Sequence, residues 1–380
     1  MHIGIDASRC IADRLTGTER YSREVIAAIL RIAPHHQYRL YFRATQADQC
    51  QAYLAALPAP DNIEPVIVPT QRLWTHIGLG REIARRPPEA LFVPAHVLPA
   101  LLPKSLHTVV TIHDVGYRHF PQAHRFRERL YLDRGTGYSA RVSRVILVDS
   151  HTTALDVAAL YHVDPGKIRI AYPGALPLPE VSDAHACETL ARFGIAPSQP
   201  FALHVGTLQP RKNLRRLIEA WARAARPDGA LLVLAGGLGW GSNDIIQAID
   251  MTRTNPTIKL TGYISDEDKA VLLRHARAYL FPSLYEGFGF PMLEAQSAGV
   301  PVACSNTSSL AEIAGGSALL FDPLDMDGIA HAIERVLRDD LVRAQLTQAG
   351  RQNVARFTWQ ACARVAVDAL TRTMCGEPER

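Results

Sequence analysis

The sequence predicts an α/β protein of two doubly wound, Rossmann-like domains, each a parallel sheet flanked by helices, and three observations predict it. Short apolar runs alternate with stretches of helical periodicity along the whole chain, the pattern of strand–helix–strand units. The chain has 380 residues, 47% of them hydrophobic, which exceeds one ordinary domain and suffices for two cores. Around residues 173–200 the pattern breaks at Pro173, Pro177, Pro179, Pro197 and Pro200, and a fresh apolar run follows.

Strand candidates in the first half lie at 2–6, 38–42, 65–69, 90–94, 108–113 and 144–150. Such runs suit strands buried on both faces of a parallel sheet. Tyr21, Val25, Ile29 and Ile32 recur at helical spacing and predict a helix over 18–33. The second half repeats the scheme at 201–206, 230–236, 257–262, 277–283, 301–305 and 318–322. Leu214, Leu217, Ile218 and Trp221 predict a helix over 213–225, with Asn213 as its cap. A last helix, about 359–373, is apolar along Ala363, Val365, Val367 and Leu370. The expected domains are 1–175 and 176–358, with a C-terminal helical segment at 359–380.

Composition narrows the function. A formal net charge of +4 is too mild to imply nucleic acid. Six cysteines at 10, 50, 187, 304, 362 and 375 form no Cys-x-x-Cys pair, so zinc and dithiol sites are not expected. Their scatter suits buried free thiols in a reducing cytosol. The N-terminus runs directly into Ile3-Gly4-Ile5-Asp6 without an apolar signal core, and no stretch is long enough to span a bilayer. A cytoplasmic protein is expected, with any membrane association peripheral. Asp322, Asp325 and Asp327 read as a helix entry capped by Asp325, and no metal site is expected.

The segment 283–301 carries most of the chemistry. After an apolar run ending at Ser283 come Glu286, Gly287, Phe288, Gly289, Phe290, Pro291, Met292, Leu293 and Glu294, then Gly299 and Pro301. Gly287 and Gly289 permit backbone angles that a Cβ resists, and Pro291 suits a first helical turn. The expected unit is strand, glycine turn, helix, with free N–H groups of Met292 and Leu293 aimed above the strand end at an anion or sugar. Glu286 before the turn and Glu294 in the helix offer two acceptors to one polyhydroxylated ligand.

A second unit runs from His204 through Gly206 to Arg211, Lys212 and Asn213. Two adjacent cations after a strand can hold a diphosphate through charge-assisted hydrogen bonds. Gly17 and Thr18, opening a helix after the first strand, offer backbone N–H groups to a phosphate. His113 and Asp114 end a strand of the first domain. Gly236 follows another strand and allows close backbone approach. In the loop at Ile264 and Ser265, Ser265 makes a capping box with Asp268. Between 118 and 144 lie seven arginines with Phe120, Phe126, Tyr131 and Tyr138, which suits either a solvated helix or an anionic lipid surface.

The Glu286-x7-Glu294 spacing around Gly-Phe-Gly-Phe-Pro resembles the signature of glycosyltransferase family four, retaining enzymes of the GT-B fold that use nucleotide sugars. The resemblance covers residues 201–330 most fully and the first domain more loosely. It implies two domains facing across a cleft, the first for the acceptor, the second for the donor, with the C-terminal helix returning to the first. It implies that Glu286 bonds hydroxyls of the donor sugar, that Glu294 holds the ribose, and that Lys212 meets the diphosphate. Thr207 stands where an arginine is common, and Arg211 is expected to supply that charge. By the same resemblance Gly17 and Thr18 face the donor phosphate or acceptor, His113 meets the donor sugar near its 6-hydroxyl, and Asp114 supports that strand end. The nucleobase is expected against the main chain near Ile264 and Ser265. The opening Ile3-Gly4-Ile5-Asp6-Ala7, the Thr16-Gly17 pair with Arg20-Tyr21, and the Pro210-Arg211-Lys212-Asn213 loop look most like bacterial O-antigen mannosyltransferases. That implies GDP-mannose as donor, a lipid-linked surface glycan as acceptor, and fixed cations in place of a metal or other cofactor. The alternatives are a nucleotide-sugar epimerase, a phosphorylase, or a non-catalytic nucleotide-sugar-binding protein.

Overall fold

The computed structural model describes residues 1–12, 16–58, 60–70, 72–100, 102–123, 125–251 and 257–371. Residues 372–380 of the C-terminal segment, with Cys375, and residues 13–15 of the loop before Gly17 lie outside these. The chain divides into two compact units. The first comprises Met1–His119, Arg125–Gly174 and Thr358–Arg380, the second Phe120–His124 and Ala175–Phe357.

The first unit holds strands β1 (His2–Asp6), β2 (Gln37–Arg43), β3 (Ile63–Val68), β4 (Ala90–Val93), β5 (His107–Ile112), β6 (Val145–Val148) and β7 (Ile168–Ile170). They form one sheet in the order β3-β2-β1-β4-β5-β6-β7. Every pairing is parallel, for example Ile3 with Tyr38 on one side and with Ala90 on the other. Strand β7 was not among the sequence expectations. It has three residues at a sheet edge, with Arg169 exposed between half-buried Ile168 and Ile170, so it carries no apolar run. Tyr41, Leu91, Val93, Val110, Ile112 and Ile146 are fully buried in its core. The helix Trp359–Thr371 belongs to this unit and lies against the helix Gly17–Ile32. Trp359 meets Tyr21 edge-on at 5.8 Å, and the buried His107 ring stands 2.7 Å from the Ala369 carbonyl.

The second unit holds β8 (Phe201–Val205), β9 (Leu231–Ala235), β10 (Ile258–Gly262), β11 (Ala278–Phe281), β12 (Val302–Ser305) and β13 (Leu319–Phe321). Their order is β10-β9-β8-β11-β12-β13, again parallel throughout. The helix Leu214–Arg223 buries Leu214, Leu217, Ile218 and Trp221 against Leu232, Leu234 and Leu280. Each such side chain contributes about 1.5–3 kcal/mol on burial. The Trp221 indole N–H is satisfied by the Thr257 hydroxyl at 3.0 Å.

In both sheets the order reverses beside the first strand, between β1 and β4 and between β8 and β11. Successive loops leave toward opposite faces at such a point, opening a crevice at the carboxyl ends of the strands where doubly wound proteins bind ligands. Among the described residues no helix is long and apolar enough to cross a membrane. The five described cysteines are free; four are buried and Cys187 is exposed, an exception to the expected buried thiols.

Candidate active site

The reversal point of the second sheet is built by the loops after β8 and β11. Gly206 leaves β8 with its N–H bonded to the Ala235 carbonyl at 2.9 Å, and Leu208 is bonded in turn to Gly237 at 2.9 Å. Gly236 crosses beneath with φ 144°, and a Cβ there would lie 2.1 Å from the Gly206 carbonyl oxygen. Only glycine permits that crossing. The loop then closes in a 3-10 turn, Pro210–Lys212. Asn213 takes the left-handed conformation at φ 58° and does not cap the following helix, which corrects the sequence expectation. Its amide donates instead to the Pro323 carbonyl at 2.7 Å. Leu284, just past β11, donates its N–H to the Arg211 carbonyl at 2.9 Å, which joins the two loops.

That junction brings Arg211, Lys212 and Glu286 into one cluster. Lys212 Nζ donates to Glu286 Oε1 at 2.6 Å, and Arg211 Nη1 donates to Oε2 at 2.9 Å and to the Tyr285 carbonyl at 2.5 Å. The Lys212 ammonium also stands 5.5 Å above the Phe281 ring. Burial pushes the Glu286 carboxyl upward, but the charges of Arg211 and Lys212 outweigh it and hold the pKa at about 2. Glu286 is therefore ionised at neutral pH. Two cations facing one carboxylate leave a net positive charge.

Beneath this cluster lies His204, fully buried on β8. Its Nδ1 is 3.0 Å from the Leu280 carbonyl, so the proton sits there. Burial depresses the ring to about 4, so it is neutral.

Two serines that the sequence reading passed over hold the turn. Ser308 Oγ accepts the Glu286 N–H at 3.0 Å, and Ser309 Oγ bonds the carbonyls of Glu286 at 2.9 Å and Phe288 at 2.8 Å. Ser308 adopts φ 53° to do so, a conformation unusual for serine. The run of small polar residues after β12, Ser305-Asn306-Thr307-Ser308-Ser309, was the available signal.

Gly289, at φ 120°, starts the helix Phe290–Ser297. The Met292 N–H donates to the Gly289 carbonyl at 3.0 Å, so it is not the free donor expected. Phe288 is buried edge-on to Phe290 at 5.1 Å and to Phe357 at 5.6 Å, which makes the phenyl group a packing element. Glu294 is buried and accepts a hydrogen bond from Lys269 Nζ at 2.8 Å. The buried Tyr279 hydroxyl is raised well above its ordinary range, by burial first and then by both Glu294 and Glu286. The two carboxylates thus act on one ring. Ile264 and Ser265 are half-buried after β10. Ser265 caps the helix Asp266–His275 by accepting the Asp268 N–H at 3.0 Å. The expected return bond of a capping box is replaced, because the Asp268 carboxylate accepts from Thr189 at 3.0 Å and from Arg192.

In the first unit His113 follows β5 directly. Its Nδ1 lies 2.8 Å from Asp149 Oδ2 and its Nε2 lies 3.2 Å from the Pro94 carbonyl. Both neighbours accept, so the geometry suits a doubly protonated ring. Burial disfavours that charge, yet Asp149 outweighs it and the His113 pKa is raised. Asp149, at the end of β6, is the partner that the sequence reading missed. Asp114, expected to support this strand end, accepts the Gly116 N–H at 2.8 Å in a tight turn just after it, and its charge adds to the raising of His113. The half-buried His96 ring stands 5.5 Å from His113, and burial, then His113, push it down to about 3. Gly17 is the first residue of its helix. Next to it the Glu19 carboxylate accepts from the Thr16 N–H at 3.2 Å and from Arg9 at 2.8 Å. Thr18 is half-buried. Among the described residues no three His, Cys, Asp or Glu side chains are grouped as a metal site.

Comparison with known proteins gives relatives for the sequence and for the fold. Residues 188–353 match the family described as glycosyl transferases group 1. O-antigen chain mannosyltransferase B of Escherichia coli is 29% identical over 96% of this chain and 98% of its own. Sucrose-phosphate synthase from Thermosynechococcus elongatus superposes with a TM-score of 0.72 at 19% identity, over 99% of this chain and 100% of that one. WaaG, a glycosyltransferase involved in lipopolysaccharide biosynthesis, gives 0.69 at 18% identity, over 98% and 100%. Residues 188–353 are thus similar to the glycosyl transferases group 1, the chain as a whole is similar to an O-antigen mannosyltransferase, and its fold is the GT-B fold of the solved structures.

Proposed function

We propose that the protein transfers mannose, with retention, from GDP-mannose to a lipid-linked surface-polysaccharide acceptor. The observation that carries the donor half of this reading is the Arg211–Lys212–Glu286 cluster at the reversal point of the second sheet. The acceptor half draws on the likeness to an O-antigen mannosyltransferase along nearly its whole length.

The chemistry follows from charge. As the bond from the anomeric carbon to the diphosphate breaks, negative charge grows on the leaving oxygen. Lys212 and Arg211 are both held on Glu286 at the reversal point, where the two cations can meet the diphosphate at about 1.5–3 kcal/mol per charge-assisted bond. Because Glu286 already orders both cations, little reorganisation accompanies the reaction. Its spare lone pairs accept from hydroxyls of the donor sugar, and Glu294 accepts from the ribose. A phosphate oxygen of the departing diphosphate takes the acceptor's proton on the same face, which gives retention. In this scheme the second unit binds the donor through Gly206, Gly236, Ile264, Ser265 and the 286–294 turn. The first binds the acceptor near Gly17, Thr18, His113 and Asp114. The helix Phe126–Val142 exposes Phe126 and Tyr131 among arginines, which suits peripheral contact with the inner membrane that carries the lipid acceptor.

Calorimetric titration with GDP, UDP and ADP tests the donor. GDP is expected to bind at least ten-fold more tightly than the other two, and GDP-mannose to be turned over only with acceptor. Preference for UDP would replace the base and sugar, and conversion of a nucleotide sugar without acceptor would replace the reaction.

A further inference from the structure

Lys269 has no role in the scheme above. It lies in the first turns of the helix Asp266–His275, which follows β10. Its ammonium reaches Glu294 Oε1 at 2.8 Å, across 25 residues of sequence. Both side chains are nearly withdrawn from water, at 12% and 7% exposure. The ammonium also stands 3.5 Å from Asp266 Oδ1, too far for a good hydrogen bond.

The protons and lone pairs of this pair do not balance. A lysine ammonium has three protons, and a carboxylate has about four lone-pair positions. One bond joins them. A further N–H of Lys269 and the lone pairs of Glu294 Oε2 are thus left to solvent or to a ligand at the small exposed part of the pair. Burying two ions costs desolvation, and that cost is recovered only where further hydrogen bonds complete the pair. A vicinal diol has the matching chemistry, since each hydroxyl both donates and accepts. A carboxylate alone would take only the donated bonds; the ammonium supplies the complementary donor.

We infer that Lys269 is a positioning and specificity residue of the donor's ribose. It fixes the Glu294 carboxylate for the 2′- and 3′-hydroxyls and donates its remaining N–H to one of those oxygens. The inference rests on the reading of Glu294 as the ribose carboxylate.

The test is calorimetric binding of GDP and 2′,3′-dideoxy-GDP, with UDP and its dideoxy form as a second pair, to the full-length protein. Wild type should prefer the nucleotide with hydroxyls by ten-fold or more. Lys269→Met should lose about ten-fold for GDP but less than two-fold for the dideoxy form, so that the preference collapses. Lys269→Arg, which keeps the charge and the donors, should recover most of it. In transfer assays the defect should fall on the donor KM more than on kcat, as a purely structural lesion would not. Should Lys269→Met fail to fold, Lys269→Gln is measured by the same criterion. A wild type that ignores the hydroxyls overturns the ribose reading of Glu294 and this inference with it. A wild type that prefers them while the Lys269 variant keeps the same preference overturns this inference alone.

Discussion

Glu286 holds two cations while burial disfavours its own charge, and that tension makes it the most informative single residue. Glu286→Gln keeps the shape and removes the charge that orders Arg211 and Lys212. We expect transfer to fall about 100-fold, the usual scale for removing one preorganised electrostatic element, with the fold retained by circular dichroism. His113 gives a second prediction of a different kind. Its folded pKa lies above the ordinary 6.5, so the stabilisation from its charge is complete below pH 6.5 and is lost as pH rises through the folded value. The Asp149 carboxyl is also raised, by burial, which acts in the same direction. Asp149→Asn should therefore lower the melting temperature more at pH 6 than at pH 9, and an equal loss at both would refute the ion pair. These partners were hard to read in sequence for a simple reason. Asp149 lies 36 residues from His113 and Ser308 lies 22 from Glu286, and only the strand order makes them neighbours. Asp114, adjacent in sequence, acts on His113 through its charge while its carboxylate holds the following turn.

At the scale of the element, strand–loop–helix units were legible because buried parallel strands are continuous apolar runs, and Phe201–Val205 or Leu231–Ala235 cannot be mistaken for surface. The exceptions have physical causes. Strand β7 is too short and too exposed to carry a pattern. Asn213 looked like a cap by residue type, but the preceding 3-10 turn puts its backbone in the left-handed region and its amide on Pro323. Glycines were legible as turn formers without showing which contact required them. Gly236 is the sharpest case, since a Cβ would sit 2.1 Å from the Gly206 carbonyl and the φ of 144° adds strain. Gly236→Ala should destabilise the second unit by about 2–3 kcal/mol, read as a lower melting temperature. It should also weaken nucleotide binding, because the Gly206 loop carries Arg211 and Lys212. An alanine variant as stable as wild type would show that the crossing relaxes freely.

At the scale of the molecule, pH acts with one sign on His204 and Glu286 of the second unit and with mixed signs around His113 of the first. In the second, His204 is depressed to about 4 and Glu286 to about 2. Their stabilisation is present above the ordinary values of 6.5 and 4.5 and is lost as pH falls through the folded ones. In the first, His113 and Asp149 contribute more as pH falls toward 6, which offsets the loss at the depressed His96 beside them. Hydrogen exchange at pH 5 against pH 7.5 should therefore show β8 and β11 losing protection relative to β5 and β6; parallel loss in both sheets would contradict the assignment. Two parallel sheets with the same reversal of strand order offer two crevices of the kind that bind ligands, and in the function we propose the cation–carboxylate cluster of one of them holds the nucleotide sugar. The most direct test of that claim is the single-turnover rate of sugar transfer by Lys212→Ala, measured on folded protein at saturating donor. The account predicts a loss of at least about 100-fold, and transfer at the wild-type rate would contradict it.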